Sequence, residues 1–109
     1  VCKIFCVTYD LTDPDADYSG LYNVLTGCEH WWHFLKSTWL VADESYEILW
    51  KKLEPQIGKT DRLLVIGVTS ESAGYLPKDA WAWIKQNIDS PENQPETALA
   101  DVRTLVFEQ

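Results

Sequence analysis

Asp10 is the first residue whose position suggests chemistry. It closes an apolar run, VCKIFCVTY, and opens a polar stretch, Leu11 to Gly20. A carboxylate at a strand end beside a loop can hold a hard cation such as Mg²⁺ through one ligand plus waters. It can equally accept a turn hydrogen bond from nearby backbone. Asp13, Asp15 and Asp17 follow with the alternation of a calcium loop. The pattern breaks at Gly20, eighth where the sixth position is needed, and at Val24, where a bidentate Glu is needed. Cys28, His30 and His33 make a CxHxxH cluster. Zinc needs four ligands, and only Cys6 or Glu29 suggests itself as the fourth. The alternative places His33 on a strand beside aromatics and His30 in the preceding turn. The glycines are scattered, so there is no phosphate loop, and no Ser sits in a GxSxG elbow. Arg62 and Arg103 are the only arginines, which leaves few candidates for a bidentate phosphate clamp.

The elements that would position these residues follow from periodicity. Val1 to Tyr9 is β-branched, aromatic and apolar on both faces, and reads as a central strand. Leu21, Val24, Leu25 and Cys28 have helical spacing, with Asp17 as the expected N-cap. Trp31 to Leu35 and Thr38 to Val41 read as strands joined at Lys36-Ser37, a turn without Gly or Asn. Asp43 or Ser45 can cap a helix that carries Tyr46, Leu49, Trp50, Leu53 and Ile57 and turns Lys51, Lys52 and Glu54 outward. Leu63 to Val68 is a strand. This order, strand-helix-strand-strand-helix-strand, predicts an α+β fold, a ferredoxin-like βαββαβ sandwich with two helices on one face of one sheet. An extra helix after Pro77 carries Ala80, Trp81, Ile84 and Ile88 on one face. Residues 1–88 thus form one domain with an added helix. Residues 89–109 hold a linker, SPENQP (90–95), and a short last strand, TLVF (104–107), able to pair at a sheet edge, across a dimer for instance.

Nine Lys and Arg face seventeen Asp and Glu, a net charge of -8. Such a domain repels a polyphosphate at long range, so nucleic acid as a partner is opposed by charge. The three cysteines form no CxxC pair, and Cys2 and Cys6 are expected to be buried in the first strand. No apolar run approaches the roughly 20 residues of a membrane span, and no signal-peptide pattern is visible. A reduced, cytoplasmic setting without membrane association is the expectation. Strand alternation sends Trp31 and Trp32 to opposite faces. Helices on one face would leave aromatics exposed on the other unless a second subunit covers them, which points to a homodimer.

Several segments together resemble the small bacterial proteins of the SinR family, which in turn resemble the CRISPR-associated Cas-two family. They are VTYDL (Val7–Leu11), the acidic loop, YS-x-LY (Tyr18–Tyr22), WWHFLKSTWLV (Trp31–Val41) and DRLLVIGV (Asp61–Val68). The resemblance runs from about Lys3 to Ile88. It implies a ferredoxin-like fold, a symmetric homodimer and a metal site at Asp10, which matches the Asp that closes the family's first strand. Ser37 falls where the family has a Ser before an aromatic. Members of the CRISPR group have been described both as metal-dependent nucleases and as non-catalytic scaffolds on duplex DNA. Their basic residues after the first strand are missing here: no Lys or Arg occurs between Lys3 and Lys36.

Two readings result. In one, Asp10 from each of two subunits holds Mg²⁺, which lowers the pKa of a bound water for phosphodiester hydrolysis while Ser37 positions the phosphate. In the other, the chain is a non-catalytic dimeric module with an acidic surface that binds another protein.

Overall fold

A computed structural model of the chain describes residues 2–88; the expected linker and final strand in residues 89–109 lie outside the described residues. The fold is α+β, a four-stranded antiparallel sheet with three helices. The order is β1 (Lys3–Asp10), α1 (Ser19–Thr26), β2 (Trp31–Leu35), β3 (Thr38–Asp43), α2 (Tyr46–Leu53), a 3-10 turn over Glu54–Gln56, β4 (Arg62–Gly67) and α3 (Lys78–Ile88). In the sheet the strands run β2-β3-β1-β4, so β1 is paired on both sides, to β3 and to β4.

Alternation along β1 divides the core in two. Phe5 and Val7 point to the side that packs α1 and α2, where Leu21, Leu25, Leu49 and Leu53 meet Trp39 and Val41 of β3. Ile4 points to the other side, with Trp32, Leu40 and Ala42, and α3 covers it through Ala80, Ile84 and Ile88. The second face is therefore partly covered by the chain's own third helix. Trp32, which alternation sends to the face opposite Trp31, is 3% exposed. Its buried Nε1 finds no hydrogen-bond partner among the described residues. Trp31 does point to the opposite side, where it contacts the ring of Trp39. What α3 leaves uncovered includes Leu64 and Ile66 on β4, each 52% exposed, and Phe34 on β2, 48% exposed beside Trp32.

Local chemistry explains where elements begin and end. Ser45 caps α2, its Oγ accepting from Ile48 N at 3.2 Å. Asp43, the other candidate cap, is instead buried and takes Lys52 Nζ at 2.9 Å. Lys52 stays exposed, as expected, and the hydrogen bond to Asp43 raises its pKa. Pro55 turns the chain into the 3-10 segment, which leaves Ile57 past the end of α2. The N-cap position of α1 falls on Tyr18 rather than Asp17. The Asp17 carboxylate still accepts from Ser19 N at 2.9 Å, a bond that lowers its pKa. The β2–β3 turn closes at Lys36-Ser37 without any residue at positive φ. Contacts from outside the turn hold it. Tyr9 N donates to Ser37 O at 3.1 Å, and His33 Nε2 lies 3.0 Å from Lys36 O.

Leu49 is fully buried where α2 meets the sheet. Leu49→Ala is expected to lower unfolding free energy by about 2–5 kcal/mol, the usual range for a buried Leu truncation. A fall in the urea midpoint at unchanged slope measures it; no shift would mean that α2 is not packed there.

Candidate functional site

The C-terminal end of β1 gathers most of the residues singled out by sequence. Asp10 is exposed and sits opposite Arg62 of β4 in register. Neither makes an ion pair among the described residues. A shallow cavity of about 300 Å³ lies beside them, lined by Thr8, Tyr9, Asp10, Arg62, Leu63 and Leu64. Ser37 is exposed at the same end of the sheet, its carbonyl held by Tyr9 N. The sheet thus brings Ser37 and Asp10 to one rim.

The acidic loop that follows β1 is folded onto its own backbone. Asp13 Oδ1 accepts from Asp15 N at 3.0 Å, and Asp17 is occupied at Ser19 N. Among the described residues no group of three or more His, Cys, Asp or Glu side chains is placed to hold a metal ion. At Asp10 the donor set is one carboxylate, with an arginine in the facing register. That set does not fit a Mg²⁺ ion held within one chain.

The Cys28, His30 and His33 cluster is pulled apart by packing. Cys28 is half-buried and donates to Val24 O at 3.4 Å. His30 is near Glu29, at 3.9 Å. His33 lies flat on Trp39, ring centroids 3.8 Å apart and planes 11° from parallel. Cys6, the suggested fourth ligand, packs with the α3 cluster, while Cys28 packs with the α1–α2 cluster. Cys2 and Cys6 are half-buried rather than buried. Burial is the first cause that raises the pKa of all three thiols, which keeps them protonated and weakly nucleophilic at neutral pH.

Two features of this rim escaped the sequence. The first is Asp61. Its carboxylate accepts from Thr12 N at 2.9 Å, Gly58 N at 2.7 Å, Tyr18 Oη at 2.8 Å and Thr12 Oγ1 at 3.2 Å. These bonds, the two backbone amides foremost, hold its pKa down to about 2. One side chain therefore ties the loop after β1 to the loop before β4. Its only sequence signal is local: Gly58 and Asp61 are spaced for a turn, and Asp61 N returns to Gly58 O at 3.2 Å. The second is an aromatic group on the α1–α2 side. Trp39 Nε1 donates to Tyr9 Oη at 3.0 Å, and the rings of Tyr22, Trp31 and His33 surround Trp39. Sequence alternation predicts the faces of these residues but not that they converge on one indole.

Asp61 sets a pH dependence. Its folded pKa lies below the unfolded value, so its contribution to stability is complete above about pH 4. It is lost as pH falls through about 2. Asp61→Asn is expected to lower thermal stability at pH 7 and to flatten its decline between pH 4 and pH 2. Thermal melts of both proteins across that range check this; parallel curves would mean that the carboxylate does not tie the loops.

Comparison with protein-family models, with curated proteins and with solved structures found no match to this chain. The geometry of the sheet and its rim is the ground for assigning a role.

Proposed function

We propose that the chain is a ferredoxin-like, non-catalytic interaction module that forms a homodimer through the half of the sheet face α3 leaves open. The element order βαββαβ and the antiparallel strand order β2-β3-β1-β4 support the ferredoxin-like reading. The observation that carries the dimer is the strip along β4 and β1. Leu64 and Ile66 are half exposed there, beside Thr8 and Cys6 in register. Thr8 also joins Thr38 of β3, Oγ1 to Oγ1 at 3.2 Å. Fully burying an aliphatic side chain yields about 1.5–3 kcal/mol, and a two-fold contact counts each residue twice.

Charge at the end of the strip favours a second copy over an unrelated partner. Asp10 and Arg62 are neighbours that do not pair within the chain. In an isologous contact, residue i meets j while j meets i. Asp10 of one copy would then meet the partner's Arg62, twice per dimer. The same pairing takes up the only carboxylate offered for Mg²⁺, so the dimer and the phosphodiesterase reading compete for Asp10. The net charge of -8 and the acidic loop weigh on the same side, because a nucleic-acid backbone would be repelled.

Light scattering on the purified full chain should give twice the 12.5 kDa chain mass. Leu64→Glu with Ile66→Glu should give a monomer with unchanged circular dichroism, since both side chains are exposed in the single chain. Arg62→Asp should weaken the dimer and Asp10→Arg added to it should restore it. A wild-type monomer at high micromolar concentration overturns the proposal. So does Mg²⁺-dependent cleavage of RNA or DNA that is lost in Asp10→Ala; that result would put the phosphodiesterase in its place.

A further inference from the structure

The α1–α2 side of the sheet carries a group of rings that the proposed dimer leaves free. Trp39 is its centre and is 3% exposed. His33 lies flat on it, ring centroids 3.8 Å apart; Trp31 leans on it at 5.4 Å, and Tyr22 stacks at 6.5 Å with planes 25° from parallel. The indole is fixed through Nε1, which donates to Tyr9 Oη at 3.0 Å. Tyr9 Oη in turn donates to Lys36 O at 3.4 Å, and His33 Nε2 lies 3.0 Å from the same carbonyl. β1, β2, β3 and α1 thus each contribute to one aromatic arrangement.

The rings that bury Trp39 are not themselves buried. Trp31 is 43% exposed, Tyr22 is 39% exposed, and His33 is exposed. A single exposed aromatic is ordinary. Several that converge on one buried indole make an apolar patch, and such patches mark binding surfaces. Packing and hydrogen bonds already hold the rings in place, so little side-chain freedom is left to lose on binding.

Charge selects the ligand. Between Lys3 and Lys36 the chain has no Lys or Arg and five carboxylates, Asp10, Asp13, Asp15, Asp17 and Glu29. α1 itself carries no charged residue; Asp13, Asp15 and Asp17 precede its first turn and Glu29 follows its last. Tyr22 therefore stands on a helix with carboxylates beyond both ends. A field of this sign steers cationic partners toward it. The faces of Trp and Tyr attract a cation, and a guanidinium adds a flat surface that stacks on them. A nucleobase would bring its phosphate into a field that repels it.

We infer that Trp31 and Tyr22 form the docking site for an arginine side chain in a basic segment of a protein partner, with the guanidinium stacked on their exposed rings and the carboxylates around α1 drawing the segment in. The site rests on the reading of the chain as an interaction module and not on the dimer, whose contact lies on the opposite face of the sheet.

The probe is the peptide acetyl-Gly-Arg-Gly-Arg-Gly-amide, titrated into the full chain and followed by NMR at the indole N–H signals of the six tryptophans. The Trp31 and Trp39 signals should move saturably, while those of Trp81 and Trp83 on α3 stay in place. Trp31→Ala and Tyr22→Ala should each weaken binding by about fivefold or more, and Trp31→Phe should keep most of it. Unmoved α3 indole signals show that the variants are folded. Citrulline in place of both arginines, a neutral side chain of nearly the same shape, should abolish the shifts. No saturable shift at millimolar peptide overturns the inference. Equal binding of the citrulline peptide does so too, and would mark a surface for uncharged chains. Arginine-peptide binding that is unchanged in both alanine variants also overturns it, and would place the peptide on the acidic loop alone. Light scattering reports the dimer separately: a monomer that still binds the arginine peptide removes the dimer and keeps this site.

Discussion

β1 is apolar on both faces, and the rest of the structure answers that constraint. A strand of this kind must be flanked by strands and covered above and below. β3 and β4 flank it; α1 and α2 cover Phe5 and Val7; α3 crosses to the other face and covers Ile4. The cover on the second side is incomplete. α3 closes over Ile4, Trp32, Leu40 and Ala42 and stops short of Leu64 and Ile66. The same apolar demand that builds the core thus creates the surface on which the proposed dimer depends. The open part of this face runs along β4, which the helices do not finish covering.

The rim at the end of β1 is organised by hydrogen bonding rather than by charge pairing. Asp13 and Asp17 bind their own backbone, and Asp61 binds two loops at once. A carboxylate that accepts several N–H and O–H donors keeps its charge without a cation nearby. This explains how a chain of net charge -8 gathers so many carboxylates at one end. It also uses up oxygens that a metal would otherwise take. Asp10 stands apart from this network, exposed and opposite Arg62 in register.

Much of the fold is legible in the sequence because local pattern and tertiary demand agree. The strand at LLVIG, the strand pair around Lys36-Ser37 and the helix capped by Ser45 each carry a signal in their own residues. The boundaries shift by a residue or two, as at β1 and β3, because strand ends are set by the partner's length and not by composition. Trp32 shows where local reasoning stops. Alternation places it on the face opposite Trp31, but only the path of α3 decides whether that face meets solvent. The candidate site divides in the same way. Asp10 is visible as a carboxylate at a strand end, whereas Asp61 looks like one more turn residue until Thr12, some fifty positions away, is seen to donate to it.

The sequence by itself determined the element types, the two-sided apolarity of β1 and β4, the acidic balance and the scarcity of arginine. These depend on side-chain type and on spacing within one element, which a chain carries wherever it goes. Only the tertiary structure decided that α3 lies across the second face, that Cys28, His30 and His33 point to different neighbours, and that Asp10 meets Arg62 in register. Each of these requires two segments distant in sequence to share one place. That is set by how the apolar surfaces of separate elements cover one another, a property of the packed whole which no single stretch of residues contains.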